Sequence, residues 1–245
     1  MNNTRLKSPW WWIPTLYFAE GIPYFIVNNI SVTMFTKMGV PNGEMALFTS
    51  LLYLPWTLKP LWSPLVDIFK TKRWWIVMML IIMSAAFVLL TFSIPHPSNE
   101  VIDGMNTPIS MFTFTLILFV ITAFASATHD IAADGFYMIG LDHGQQSFFV
   151  GIRSTFYRLS SIFGQGVLVV IAGLLEEKTG NIPMAWMLTM ATTAVLFSLI
   201  TLYHTFAIPR PSGDKPVNES GGSFGGEFAQ AFVTFFKKPG VWIAI

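Results

Sequence analysis

Apolar residues run along this chain in stretches long enough to cross a bilayer, with short clusters of turn-forming and charged residues between them. Trp74 to Ile94, Ile109 to Ala127 and Met184 to Tyr203 each come close to the roughly 20 residues a helix needs to span the hydrocarbon core. Backbone polar groups cannot face lipid unsatisfied, so such runs are read as helices. Six segments follow: Pro9–Met34, Glu44–Val66, Trp74–Ile94, Pro108–Ile139, Ser147–Leu175 and Pro183–Ile208. The domain reading is a six-helix transmembrane bundle over residues 1–208, a linker with a short helix over 209–240, and the opening of a seventh helix at 241–245. Pro209 to Gly226 has the Pro, Ser, Gly and charged composition of a flexible connection. Beyond it, Phe228, Ala231, Phe232, Phe235 and Phe236 recur at helical spacing and end in Lys237 and Lys238. That stripe suits either a helix lying on the membrane surface or packing against a neighbouring domain.

The first apolar run carries Glu20 and lacks a small-residue cleavage site, so it is expected to stay as a helix. Arg5, Lys7, Lys70, Lys72, Arg73, Arg210, Lys215, Lys237 and Lys238 fall in one set of alternate connections, against Lys37 and Lys178 in the other. The positive-inside rule then places the N-terminus and the linker in the cytoplasm. Trp10, Trp11, Trp12, Trp74 and Trp75 fall at those same ends and are expected to act as interfacial anchors.

Composition agrees: of 245 residues, 53% are hydrophobic and only 11% charged. An average soluble domain carries about 25% charged residues. The absence of cysteine removes disulfide scaffolds, thiol nucleophiles and cysteine-ligated metals, and a net charge of +1 offers no footprint for nucleic acid. No hydrolase triad, phosphate-cradling glycine loop or redox ligand set is present, so the chain is expected to be no enzyme and to need no cofactor or metal. Its expected partners are the lipid bilayer, protons and a small-molecule substrate.

Ionisable residues inside hydrocarbon cost at least about 2.5 kcal/mol each on insertion scales, so each marks a pathway or a buried pair. Glu20 lies in Phe18-Ala19-Glu20-Gly21-Ile22-Pro23-Tyr24, where Gly and Pro can open the helical hydrogen bonding. Lys59 stands before Pro60 inside the second segment, either facing a cavity or snorkelling. Asp67, beside Lys70, Lys72 and Arg73, can pair with a cation or cap a helix start. Asp130 and Asp134 are one helical turn apart in the fourth segment, next to His129, a candidate proton relay. The fifth segment supplies Arg153 and Arg158. Counting rise per residue matches Asp134 with Arg153 and, deeper, Asp130 with Arg158. The substrate and proton pathway is thus assigned to Glu20, Lys59, His129, Asp130 and Arg158, and the gate to Asp67, Asp134 and Arg153.

Three stretches resemble the major facilitator superfamily, in the group of AmpG-type muropeptide permeases and acetyl-CoA transporters: Phe18–Tyr24; Lys59-Pro60-Leu61-Trp62-Ser63-Pro64-Leu65-Val66-Asp67; and Ala125–Gly135, followed by Gly151-Ile152-Arg153 and Tyr157-Arg158-Leu159. The superfamily motif between its second and third helices is matched by Leu65, Asp67, Lys72 and Arg73, with Ser63 and Lys70 standing where glycines are usual. The resemblance implies an all-α membrane protein, six transmembrane helices forming the N-terminal half of a major facilitator fold. It also implies proton-driven uptake of a bulky anionic or amphipathic solute, such as an anhydro-muropeptide, across a bacterial inner membrane. Acyl-CoA, sugars and drugs stay open as alternatives, as does a non-transporting half or scaffold. A C-terminal six-helix half, or a second copy, would be needed to close the cavity.

Overall fold

The computed structural model describes residues 8–94, 111–216 and 224–237, all helical or irregular, with no strand among them. The expected seventh-helix opening at 241–245, the arginine and lysine of residues 1–7, and Pro108 lie outside the described residues. The helices are α1 (13–37), α2 (Asn42–Thr57), α3 (Lys59–Ile68), α4 (Lys72–Phe92), α5 (Met111–Gly140), α6 (His143–Thr179), α7 (Ile182–Ala207) and α8 (Phe224–Lys237). Four of them, α4 to α7, are long and apolar enough to cross a membrane. The chain is therefore a multi-pass helical membrane protein.

The first two expected segments are less regular than the pattern suggested. α1 joins Ile13–Phe25, a π-helical turn at Ile26–Ile30 and Ser31–Lys37. Pro23 lies within it and has no N–H to donate to the turn before, which loosens the helix just ahead of the π turn. The segment expected at Glu44–Val66 is split at Leu58 (φ −90°, ψ 5°) into α2 and α3. Pro60 then sits in the first turn of α3, where a missing N–H is harmless. α6 carries a second π turn at Ile162–Val167.

Caps explain most of the other boundaries. Asp142 and Gln145 form a reciprocal capping box at the start of α6, with bonds of 2.8 and 3.3 Å. Gly180, at φ 62°, ends α6, and Asn181 accepts from the Met184 amide at 2.9 Å to start α7.

α1 and α5 lie at the centre, α1 against α6 and α5 against α4, with α7 outside α4 and alongside the second part of α6. Phe35 meets Phe112 edge-on at 5.2 Å between α1 and α5, and Phe87 meets Phe197 at 5.1 Å between α4 and α7. Small residues set the α1–α6 spacing: a Cβ on Gly21 would fall 1.8 Å from Ser160 Oγ, and one on Gly164 would fall 2.8 Å from Phe25 Cβ. Trp12 departs from the expected anchoring role. It is 1% exposed and packs edge-on against Phe136 at 5.2 Å, while Trp10 and Trp11 stay exposed. α8 runs beside α3.

Candidate functional site

One end of the bundle gathers Lys72, Arg73, Arg210 and Asp67, and is called the basic end below. Glu20 lies seven residues inside the start of α1, about 10 Å by helical rise. A cavity of about 350 Å³ opens there, lined by Tyr17 and Glu20 of α1, Asp130 of α5, and Arg153, Ser154, Tyr157 and Arg158 of α6.

Two ion pairs brace it. Arg153 Nη2 lies 2.9 Å from Asp134 Oδ1, and the same carboxylate oxygen accepts from the Tyr17 hydroxyl at 3.3 Å. The Arg153 guanidinium stacks 4.6 Å over the Tyr17 ring and 5.2 Å from the Tyr137 ring, so its planar face is used as well as its donors. Asp130 pairs with Lys59, not with Arg158 as helical rise alone had suggested. Rotation is the reason. Asp130 and Asp134 are four residues apart and share a face, but Arg153 and Arg158 are five apart, about 140° around their helix. The first meets Asp134 of α5, whereas the second faces the cavity without reaching a carboxylate within 4 Å among the described residues. α3 packs on α5 and begins at Lys59, which brings that ammonium to Asp130.

Two charges of the cavity remain without a partner. Glu20 is 7% exposed and its Oε2 makes no hydrogen bond, while Arg158 is exposed and has no carboxylate within 4 Å among the described residues. His129 is not part of the lining. It is fully buried, and both ring nitrogens lack a partner. His204, also buried, reaches Thr15 Oγ1 through Nε2 at 2.9 Å. No group of three or more His, Asp and Glu that could hold a metal occurs among the described residues.

Asp67 sits away from the cavity at the basic end, paired with Lys72. Sequence reasoning missed what holds that end together. Asp214 accepts from the backbone amides of Lys72 and Arg73 at 2.7 and 3.0 Å, placing a carboxylate on the N-terminus of α4. Arg73 in turn donates to the Thr205 and Ile208 carbonyls at 2.6 and 3.2 Å, at the C-terminal end of α7. The stretch expected to be flexible is thus anchored as far as Asp214. Tyr17 was also missed, although it lies three residues before Glu20 on the same helix face. Tyr157 and Ser154 flank the two arginines on α6 in the same way.

A multi-pass helical bundle with a charged cavity between its helices is the class that fold and site define. No protein-family model matches the chain. It is 29% identical over 198 residues to a protein of Rickettsia conorii named "Putative transporter AmpG 4", and 28% identical over 200 residues to a Rickettsia felis protein of the same name. Each match covers 77% of this chain and 42% of the relative. An uncharacterized protein of Schizosaccharomyces pombe is 29% identical over 165 residues, covering 63% of this chain and 30% of the relative. The chain thus spans less than half the length of the curated relatives it matches. The resemblance to AmpG-type transporters carried by the three motifs agrees with these relatives.

Proposed function

We propose that these residues are the N-terminal six-helix half of a major facilitator-type secondary transporter, with α1 and the α2–α3 pair as its first two spans. It takes up a bulky anionic or amphipathic solute, such as an anhydro-muropeptide, with protons, across a bacterial inner membrane. The N-terminus is cytoplasmic, in keeping with Lys72, Arg73, Arg210 and Lys215 at one end against Lys37 and Lys178 at the other. A C-terminal half or a second copy completes the cavity. The names of the Rickettsia relatives support the reading.

The observation that carries it is the pair of unpartnered charges on one open cavity. A buried carboxylate with no donor is costly unless it holds a proton, which suits it to carry one, and an exposed arginine with no carboxylate is free to take an anion. In this mechanism Arg158 attracts the solute's carboxylate and Lys59 follows when the carboxylate of Asp130 is protonated. Glu20 and Asp130 carry the protons, and the relay role proposed for His129, next to Asp130 on α5, requires its unpartnered ring nitrogens to gain a hydrogen-bond partner during the cycle. Arg153, Asp134 and Asp67 hold the gate on the basic side.

The test is proton-driven uptake of labelled anhydro-muropeptide into vesicles. Glu20→Gln should abolish it while leaving the amount of folded protein in the membrane unchanged, and Arg158→Ala should do the same. Normal uptake in Glu20→Gln would sink the proton role. A second reading, a membrane scaffold, is favoured by the Lys59–Asp130 and Arg153–Asp134 pairs, which also fix helix packing. It predicts that either substitution alters assembly and that uptake is never seen.

A further inference from the structure

Around α5 from the cavity lies a column of buried polar groups that the solute path does not use. His129 of α5 and His204 of α7 are both fully buried. His204 shares a 2.9 Å hydrogen bond through Nε2 with Thr15 Oγ1 of α1, while its Nδ1 and both ring nitrogens of His129 have no partner. The two rings lie within electrostatic reach of each other but make no hydrogen bond together. Neighbouring contacts set their depths. Trp12 packs on Phe136 and Tyr17 reaches Asp134, so Thr15 stands level with that part of α5. His129 is then about five residues deeper, roughly 8 Å by helical rise. Hydroxyls occupy the intervening depth: Thr201, one turn into the bundle from His204, bonds Ser84 of α4 at 2.7 Å, and both are buried. At the shallow end the Tyr203 ring lies 5.5 Å from that of His204, and it lines a cleft of about 410 Å³ with Ser8, Trp11, Phe206 and Ala207. Arg73 of α4 holds the Thr205 and Ile208 carbonyls beside that end, and Asp130, the next residue on α5, is turned to Lys59 and the cavity.

We propose that His129 and His204, joined by water bound among α1, α5 and α7, carry the proton from the middle of the bundle to the basic end, so that proton and solute leave by separate routes. The route rests on the proton-coupled reading above and names the partner that His129 lacks there. Three buried ring nitrogens with nothing to bond carry the argument. A site made for packing alone is better filled by leucine or phenylalanine, whereas buried polar groups left unpaired are costly and are satisfied by internal water. A neutral imidazole has one nitrogen that accepts and one that donates, so it takes a proton on one side and releases one on the other. His129 accepts the proton and passes one from its other nitrogen to the bridging water, and the water passes one to His204 Nδ1. His204 then gives up the proton on Nε2, past the Thr15 hydroxyl, at the basic end. Every group ends neutral, and each ring has exchanged its tautomer, which turning the ring restores.

Two measurements test the route. Nitrogen-15 NMR of the full chain, labelled at histidine and held in lipid nanodiscs, reads hydration. Magnetisation should pass from water to the ring nitrogens of His129 and His204, identified by their loss in His129→Gln and His204→Gln. Dry rings overturn the proposal whatever the uptake result. Proteoliposomes then read transport of labelled anhydro-muropeptide in two modes, accumulation driven by a proton gradient and one-for-one exchange with no gradient. Exchange needs no net movement of protons. His204→Gln, which keeps a hydrogen-bonding group for Thr15, should lower accumulation by at least about tenfold, as loss of a proton-transfer group does, and leave exchange intact. Combining it with His129→Gln should cost no more than His204→Gln alone, because the two act in series. Full accumulation in His204→Gln overturns the relay and leaves the transporter reading standing. Loss of exchange together with accumulation, at an unchanged amount of folded protein, overturns it too, since the pair would then serve the solute. A further loss in the double variant overturns the serial path. If the unaltered protein does not accumulate the solute, the proton-coupled reading falls and the relay falls with it, even with wet rings.

Discussion

The cavity and the basic end are built from the same residue types and treat charge in opposite ways. At the basic end, four charges are fastened: Asp214 accepts two α4 amides, Arg73 reaches two α7 carbonyls, and Lys72 pairs with Asp67, while Lys70 and Arg210 stay exposed at the surface. In the cavity, Lys59–Asp130 and Arg153–Asp134 are paired, but Glu20 and Arg158 are left over, one of each sign. The difference teaches how to tell a fastening from a working site. Helix ends carry partial charges and orphaned backbone groups that hold a side chain in one place. A buried carboxylate paired to nothing costs desolvation with no compensating bond, so stability does not account for it.

If that contrast is right, substitutions in the two regions move different observables. The largest stability effect is expected for Lys59→Met, which leaves Asp130 without its cation. The loss should be about 3 kcal/mol, near the low end for a broken buried pair because both groups are partly open to the cavity. Adding Asp130→Leu should recover most of it, as seen in thermal unfolding in detergent; no recovery would mean that Lys59 acts through packing. Glu20→Leu should work the other way, raising stability by about 1–2 kcal/mol while uptake is lost, because it removes a buried carboxylate with no partner. A fall in stability would show that Glu20 is a fastening after all. Asp214→Ala should cost about 1–2 kcal/mol, the value of two charge-assisted bonds at a partly exposed helix start. It should also expose the 209–216 stretch to protease without changing solute affinity.

How much of this was legible in the sequence depended on whether the controlling force was local. The long apolar runs of α4 to α7 were plain because hydrophobic length is a property of the segment itself. The Asp134–Arg153 pair was legible because rise per residue fixes depth. The partner of Asp130 was not, since it depends on which way α6 is rotated and on where α3 begins, and both are set by packing. Tyr17 was within reach of a helical-face argument. Asp214 was not: its carboxylate joins the amides of Lys72 and Arg73, some 140 residues earlier in the chain, and no spacing rule connects them. Trp12 was misjudged for a related reason, because a run of three tryptophans does not reveal which one turns inward.

The smallest expected effect comes from the turn that leads into the basic-end fastening. Lys70, between α3 and α4, adopts φ 62°, a left-handed conformation in which a side chain crowds its own backbone. It is also the position where the resembled motif usually has glycine, and the backbone here keeps the glycine-like shape without the glycine. The conformation persists because both sides of the turn are held, by Asp67 with Lys72 on one and by Thr71 accepting from the Trp74 amide at 3.1 Å on the other. Lys70→Gly should therefore stabilise the protein by about 0.5–1 kcal/mol, the relief of left-handed strain less the added freedom of the unfolded chain. Thermal unfolding of the single variant checks the size. The same substitution in an Asp214→Ala background checks the origin: an equal gain there means that the strain belongs to the turn alone, and a smaller gain means that the fastening imposes it.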